Sequence, residues 1–131
     1  MGSVERMSEL IHTCYRVLDL ERSVAFYEKL GFEELRRMEL GSGDATNCYL
    51  GLPGDGERLE LTFNHDVTEP YEIGTGYGHI AVAVDDLDGA LAGLAEQGIE
   101  PEKPPYTVRE GGSRLCFVRD PDGYRIELIE M

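Results

Sequence analysis

The sequence IHTCYRVLDLERSVAFYEKLGFE at residues 11–33 returns in altered form at residues 78–100 as GHIAVAVDDLDGALAGLAEQGIE. One constant shift in residue number, here called the repeat offset, carries His12 onto His79 and Gly31 onto Gly98. The same offset aligns RLELT at residues 58–62 with RIELI at residues 125–129, so no net insertion separates the copies. A repeat with constant spacing indicates that one structural unit is present twice.

Each copy begins with a strand and continues into a helix. Alternating apolar residues predict the strand, and an aspartate that can cap a helix follows it, Asp19 in the first copy and Asp85 or Asp86 in the second. Gly31 and Gly98 end the predicted helices, where a positive φ is favoured. Three short strand-like segments follow in each copy, FEELRRMEL, NCYLGL and RLELTF in the first and IEPEK, SRLCFV and YRIELIE in the second.

The prediction is therefore an α+β fold of two tandem βαβββ modules that form cupped mixed sheets. We expect the first module at residues 8–65 and the second at residues 78–131, joined by a connecting loop at residues 66–77. Met7 offers an alternative start, so residues 1–6 are expected to be a disordered lead.

The composition argues against several classes of partner. The chain of 131 residues carries a formal net charge of −14, which opposes binding to nucleic acid and to anionic membranes. No apolar run approaches the length that crosses a bilayer, and the N-terminus lacks the apolar core of a signal peptide. Cys14, Cys48 and Cys116 are widely spaced and form no CxxC motif, so we expect reduced thiols in a cytoplasmic protein.

Each copy places one histidine and one glutamate on the same face of its sheet. His12 and His79 stand at the start of the first strand, whereas Glu60 and Glu127 stand in the last strand. Strand alternation turns these side chains away from the apolar positions that face the helix, towards a concave interior. Two imidazoles and two carboxylates suit a divalent ion such as Zn, Ni, Co, Mn or Fe, which would also offset the cost of burying the carboxylates.

Two further polar residues are predicted on this face. Arg16 follows His12 by four positions, and Asn64 follows Glu60 by four, which places each roughly 13 Å further along its strand. An arginine and an amide at that distance suit an elongated ligand with a carboxylate and peptide groups, although an exposed charge at a strand edge explains Arg16 equally well. His65 has no counterpart at the repeat offset and is expected in a surface loop.

From about residue 10 to residue 130, the chain resembles the glyoxalase I (lactoylglutathione lyase) family of the vicinal oxygen chelate superfamily. The segments that carry the resemblance are IHTCYRVLDLERSVAFYEKLGF, RLELTFN, GTGYGHIAVAVDD and FVRDPDGYRIELIE. The resemblance implies the vicinal oxygen chelate (glyoxalase-like) fold and a homodimer whose site is completed across the subunit interface. The compact form is similar to the bacterial branch, which implies one divalent ion per site, nickel or cobalt before zinc.

The resemblance also implies residue roles. The family's metal ligands match His12, Glu60, His79 and Glu127. Arg16 and Asn64 match positions that contact glutathione. The implied reaction isomerises the hemithioacetal of methylglyoxal and glutathione to S-lactoylglutathione through an enediolate. Glu127 is the leading candidate for the base that moves the proton, with Glu60 as its symmetric partner.

Two other interpretations use the same residues. One is another metal-dependent enzyme of the superfamily, acting on a different thiol adduct or as an epimerase or dioxygenase, but Glu60 departs from the ligand patterns of the last two. The other is a small-molecule-binding module without metal, and four intact ligands argue against it. The sequence leaves open the thiol, the metal, and the roles of Arg109 and Lys103 in the loop before the last hairpin.

Overall fold

The structure is a computed structural model that describes residues 7–131. The disordered lead that we expect at residues 1–6 lies outside the described residues. The elements, in chain order, are β1 Thr13–Val17, α1 Leu20–Lys29, β2 Glu33–Leu40, β3 Ala45–Gly51, β4 Leu59–Asn64, β5 Ile80–Val84, α2 Leu87–Ala95, β6 Leu115–Arg119 and β7 Arg125–Glu130.

The strands form two mixed sheets, one in each half of the chain. The first sheet has the order β1-β4-β3-β2, and the second has the order β5-β7-β6. In both sheets the first strand of the half runs parallel to the last strand, and the remaining neighbours are antiparallel. The predicted α+β fold with mixed sheets is confirmed, while the module boundaries at residues 65–66 and 77–78 stay a prediction.

The second half departs from the predicted βαβββ order, because its IEPEK segment forms no strand. Three of the residues 101–105 are prolines, which lack the backbone N–H that a ladder requires. The chain between α2 and β6 touches β6 at two points instead. The backbone N–H of Glu102 donates to the carbonyl of Phe117 at 2.8 Å, and an isolated bridge joins Tyr106 to Leu115.

Aspartates begin both helices, as the sequence predicts. Asp19 accepts a hydrogen bond from the backbone N–H of Arg22 at 3.1 Å, and Asp86 accepts one from Gly89 at 2.9 Å. Asp86 is therefore the cap that the sequence left open between two neighbours. Gly31 follows the last turn of α1 with a φ of 101°, in the left-handed region that glycine tolerates best.

One hydrophobic core joins the two halves. The cluster of buried side chains includes Val17 and Leu61 from the first sheet, and Val82 and Leu128 from the second. The apolar residues of β5 face the helix side, as alternation predicts, since Val82 is buried while its neighbours at 81 and 83 are exposed. The opposite face of each sheet is therefore the one that carries the candidate site. Among residues 7–131, no helix combines the length and apolar character needed to cross a membrane.

The DPDG turn before β7, residues 120–123, forms hydrogen bonds that connect the second half to the first. The Asp120 carboxylate accepts a hydrogen bond from the hydroxyl of Tyr27 at 2.7 Å. The Asp122 carboxylate accepts from the backbone N–H of Leu18 at 3.0 Å and from the hydroxyl of Ser23 at 3.2 Å. Two carboxylates of the second half therefore accept hydrogen bonds from α1 and from the segment between β1 and α1.

Burial of Asp120 makes the unfolding free energy of the chain depend on pH. Burial raises the pKa of the Asp120 carboxyl from 3.8 to about 6. The folded chain therefore binds this proton more tightly than the unfolded chain, and the stabilisation present at low pH is lost as pH rises through about 6. Relative to Asp120→Asn, we expect the unfolding free energy of the wild type to fall by about 3 kcal/mol as the pH rises from below 3.8 to above 6.

Urea denaturation of both proteins at several pH values measures this difference. Other carboxylates titrate in both proteins, so their contributions cancel in the comparison. Parallel pH dependences would contradict the assignment.

Candidate metal centre

The first half-site joins the start of β1 to β4. His12 immediately precedes β1, and Glu60 is the second residue of β4. These strands are parallel neighbours, with Cys14 opposite Glu60. The imidazole and the carboxylate therefore meet, and Nε2 of His12 lies 2.7 Å from Oε2 of Glu60. The glutamate side chain is 12% exposed and the histidine side chain is 35% exposed.

The second half-site repeats this arrangement between β5 and β7. Ala81 lies opposite Glu127 in the parallel ladder, and His79 immediately precedes β5. Nε2 of His79 lies 3.0 Å from Oε1 of Glu127. The glutamate side chain is 16% exposed and the histidine 37% exposed. In both half-sites the carboxylate is mostly covered and the imidazole reaches the surface.

Each pair suits part of a metal coordination shell. Nitrogen and oxygen ligands bound to one ion at about 2.1 Å lie roughly 3 Å from each other, which is the separation seen in both pairs. Within residues 7–131, however, no group of three or more histidine, cysteine, aspartate or glutamate side chains is arranged to hold an ion. The structure therefore brings the four predicted ligands together as two pairs, and not as one set within a single copy of the chain.

An aromatic ring lies beside each histidine. The Tyr49 ring lies edge-on to His12, with centroids 5.9 Å apart, and the Phe117 ring lies edge-on to His79 at 5.0 Å. Each ring belongs to the residue that pairs with the half-site glutamate in the antiparallel ladder. The two rings thus form matching apolar walls next to the imidazoles.

An arginine lies over each ring. The guanidinium carbon of Arg36 lies 4.2 Å from the centroid of Tyr49, and that of Arg125 lies 3.9 Å from the centroid of Phe117. Each guanidinium also forms an ion pair at 2.8 Å, with Glu57 and with Glu102 respectively. These arginines are neutralised locally and hold the rings in place.

Sequence reasoning missed the two rings. The repeat offset carries Tyr49 onto Cys116, one position short of Phe117, so the two aromatic residues do not align in the repeat. The signal that would have found them is strand pairing, because each ring lies opposite a predicted ligand in the neighbouring strand.

The predicted substrate-binding residues lie on the two strands of the first half-site. Arg16 is exposed on β1, and its backbone carbonyl accepts a hydrogen bond from the hydroxyl of Tyr124 at 3.0 Å. Asn64 ends β4, and its Nδ2 donates to the hydroxyl of Tyr71 at 3.1 Å. Tyr71 belongs to the connecting loop, so this loop fixes the orientation of the Asn64 amide.

Three other candidates lie in surface loops. His65 is exposed, as predicted, and its Nε2 lies 2.8 Å from Oγ1 of Thr46. Lys103 is exposed and its ammonium lies 4.0 Å from the ring centroid of Tyr106. Arg109 is exposed in the loop before β6. None of these contacts links the three residues to the predicted ligands.

The cysteines have the character of unreactive thiols. All three are free; Cys14 is exposed on the site face, while Cys48 and Cys116 are buried. Desolvation raises the pKa of each thiol, to about 11 for Cys48. A raised pKa keeps little thiolate at neutral pH, so the arrangement does not suit a catalytic cysteine.

Comparison with known proteins finds relatives over nearly the whole chain. The sequence model of the Glyoxalase/Bleomycin resistance protein/Dioxygenase superfamily matches residues 9–128. A lactoylglutathione lyase of Neisseria meningitidis serogroup A is 42% identical over 124 residues, which cover 92% of this chain and 89% of the relative. A lactoylglutathione lyase of Haemophilus influenzae is 41% identical over 126 residues, covering 93% and 92%.

Some relatives are much longer than this chain. A lactoylglutathione lyase of Arabidopsis thaliana is 37% identical over 123 residues, and the match spans 92% of this chain but only 43% of the relative. The crystal structure of glyoxalase I from Zea mays superposes with a TM-score of 0.82 at 35% identity, covering 93% of this chain and 44% of that one. The trypanothione-dependent glyoxalase I of Leishmania major gives a TM-score of 0.76 at 37% identity, covering 94% and 86%.

Proposed function

This chain belongs to the Glyoxalase/Bleomycin resistance protein/Dioxygenase superfamily, and we propose that it is a metal-dependent glyoxalase I. It would isomerise the hemithioacetal of methylglyoxal and glutathione to S-lactoylglutathione through an enediolate. The observation that carries the proposal is the pair of matching histidine–glutamate contacts, at 2.7 and 3.0 Å, in a chain 42% identical to a lactoylglutathione lyase of similar length.

The four ligands would hold one divalent ion, with nickel or cobalt favoured and zinc as the alternative. Because the two pairs do not meet within one copy, we propose a homodimer with two shared sites. One copy would supply His12 and Glu60 to each site, and the other copy would supply His79 and Glu127. The partly exposed imidazoles support this arrangement, since both half-sites are open to a second molecule.

When bound, the ion would supply Lewis-acid stabilisation of the charge that develops on the enediolate oxygens. The protein's own part is to move one proton. We assign this role to Glu127, which would take the proton from C1 of the hemithioacetal and return it at C2. Its carboxylate is mostly covered, so solvent competes little for the proton. The apolar Phe117 ring beside His79 helps to exclude water from this half-site.

Arg16 and Asn64 would bind the thiol portion of the substrate. A guanidinium on the site face is suited to a carboxylate of glutathione. The amide nitrogen of Asn64 is bonded to Tyr71. Its carbonyl oxygen has no donor among residues 7–131 and would accept from an ammonium or peptide N–H of the substrate. Glutathione is the thiol we propose, although the Leishmania major relative is described as trypanothione-dependent.

We propose the cytoplasm as the location. The three cysteines are free thiols, two of them buried, which suits a reducing compartment. The net charge of −14 favours a small-molecule substrate over nucleic acid or an anionic membrane surface.

Metal removal tests the reaction directly. Protein stripped with a chelator should be inactive with methylglyoxal and glutathione, and activity should return on adding nickel or cobalt to a greater extent than with zinc. Formation of the thioester, followed by its absorbance, is the measurement. Activity of metal-loaded protein with trypanothione but not with glutathione would replace glutathione as the proposed thiol. Inactivity with every thiol would reject the proposed reaction.

Substitution of the glutamates tests the assignment of the base. Glu127→Gln keeps an oxygen ligand but cannot accept the proton, so kcat should fall by about 10²–10⁴-fold while metal remains bound. Metal content by atomic emission and turnover of the same sample are the measurements, with Glu60→Gln as the matched comparison. Near wild-type turnover of metal-loaded Glu127→Gln would remove Glu127 from this role.

Mixing two inactive variants tests whether sites are shared between copies. His12→Ala damages the first half-site, and His79→Ala damages the second. In a mixed dimer, one shared site combines both damaged halves and the other combines both intact halves. After subunit exchange, we expect about one quarter of wild-type activity, because half of the dimers are mixed and each holds one intact site. No recovery despite measured exchange would show that sites are not shared.

A further inference from the structure

The two half-sites share their histidine and glutamate but differ in the residues around them. The site face of β1 and β4 carries Cys14, Arg16, Thr62 and Asn64. At the repeat offset, the corresponding positions are Ala81, Ala83, Ile129 and Met131. Every position therefore changes from a side chain that can form hydrogen bonds in the first half to an apolar one in the second.

In the first half, this difference provides a second contact for the glutamate. Oε2 of Glu60 faces His12 at 2.7 Å, and the hydroxyl of Thr62 lies 3.2 Å from Oε1. The same hydroxyl lies 2.9 Å from Oδ1 of Asn47, so its single hydrogen is shared between the two acceptors. Sγ of Cys14 lies 3.3 Å from Thr62 Oγ1, which completes a polar network around the carboxylate.

In the second half, the glutamate has fewer restraints. Within residues 7–131, the only hydrogen-bond or ion-pair contact of the Glu127 carboxylate is the one with His79. Ile129 occupies the position of Thr62 and offers no donor. Arg125 lies on the same face, but its guanidinium binds Glu102 through contacts of 2.8 and 2.9 Å and stacks on an aromatic ring.

We propose that Thr62 is a positioning residue that makes the two glutamates inequivalent. Thr62 holds Glu60 as a fixed ligand, because that carboxylate must break a second hydrogen bond to move. Ile129 leaves Glu127 free to turn between the metal and the substrate. The inference rests on the proposed glyoxalase I function. It gives a physical reason why Glu127, and not its repeat partner Glu60, would move the proton.

Reciprocal substitutions at the two matched positions test this inference. Ile129→Thr gives Glu127 the donor that it lacks, and we expect kcat to fall about tenfold with KM unchanged. Ile129→Val is the matched control, because it removes similar bulk without adding a hydroxyl. Equal kcat for the threonine and valine variants would overturn the inference.

The substitution at Thr62 is tested by metal affinity and not by turnover. Thr62→Val frees Glu60, so the dissociation constant for Co²⁺, from competition with a coloured chelator, should rise about tenfold. Thr62→Ser should restore the affinity, which a loss of packing alone would not explain. Thr68→Val, an exposed residue of the connecting loop, is the control and should bind Co²⁺ like the wild type. Unchanged affinity in Thr62→Val would overturn the inference.

Measurements on the wild type distinguish a failure of the Thr62 inference from a failure of the proposed function. If it turns over the hemithioacetal and the exchanges have no effect, the role of Thr62 is wrong and the function stands. If it binds Co²⁺ but has no turnover with any thiol, the proposed function is wrong, and the affinity of the Thr62 variants still decides whether Thr62 holds Glu60.

Discussion

The parallel contact between the first and last strands of each half determines where the candidate site lies. In both halves, the residue two places after the histidine lies directly opposite the glutamate. Backbone hydrogen bonds keep this register, and alternation keeps both side chains on one face. Each carboxylate therefore projects from within a strand, and each imidazole from the residue just before one, which limits the freedom of the candidate ligands.

The same register explains what the sequence could and could not predict. The repeat and strand alternation predict that His12 and Glu60 share a face, whereas their direct contact comes from the parallel pairing of β1 with β4. The repeat did not align Tyr49 with Phe117, because Tyr49 lies eleven residues before the glutamate it faces, whereas Phe117 lies ten residues before its own. The separation of the two pairs in one copy agrees with the family resemblance, which implies a site completed across subunits. The repeat alone does not imply it, since contacts between the halves such as Tyr27–Asp120 join positions that the offset does not relate.

Local charges at the site matter more than the overall acidity. At physiological ionic strength, electrostatic interactions are screened beyond about 8 Å, so the net charge of −14 acts weakly on a ligand already in contact. Arg36 and Arg125 are each occupied by a glutamate and an aromatic ring. Arg16, exposed on the site face, is the cation that we propose for contact with an anionic substrate.

The DPDG turn forms hydrogen bonds to the other half of the chain, whereas, among the described residues, the matching turn of the first copy does not. This difference limits how the sequences of the two copies can diverge. At the repeat offset the counterpart of DPDG is PGDG at residues 53–56, which lacks the aspartate equivalent to Asp120. Within the described chain, the hydrogen bonds of PGDG stay in its own half. Natural variation should therefore be tolerated more readily at residues 53–56 than at residues 120–123, although both turns occupy the same position in the repeat.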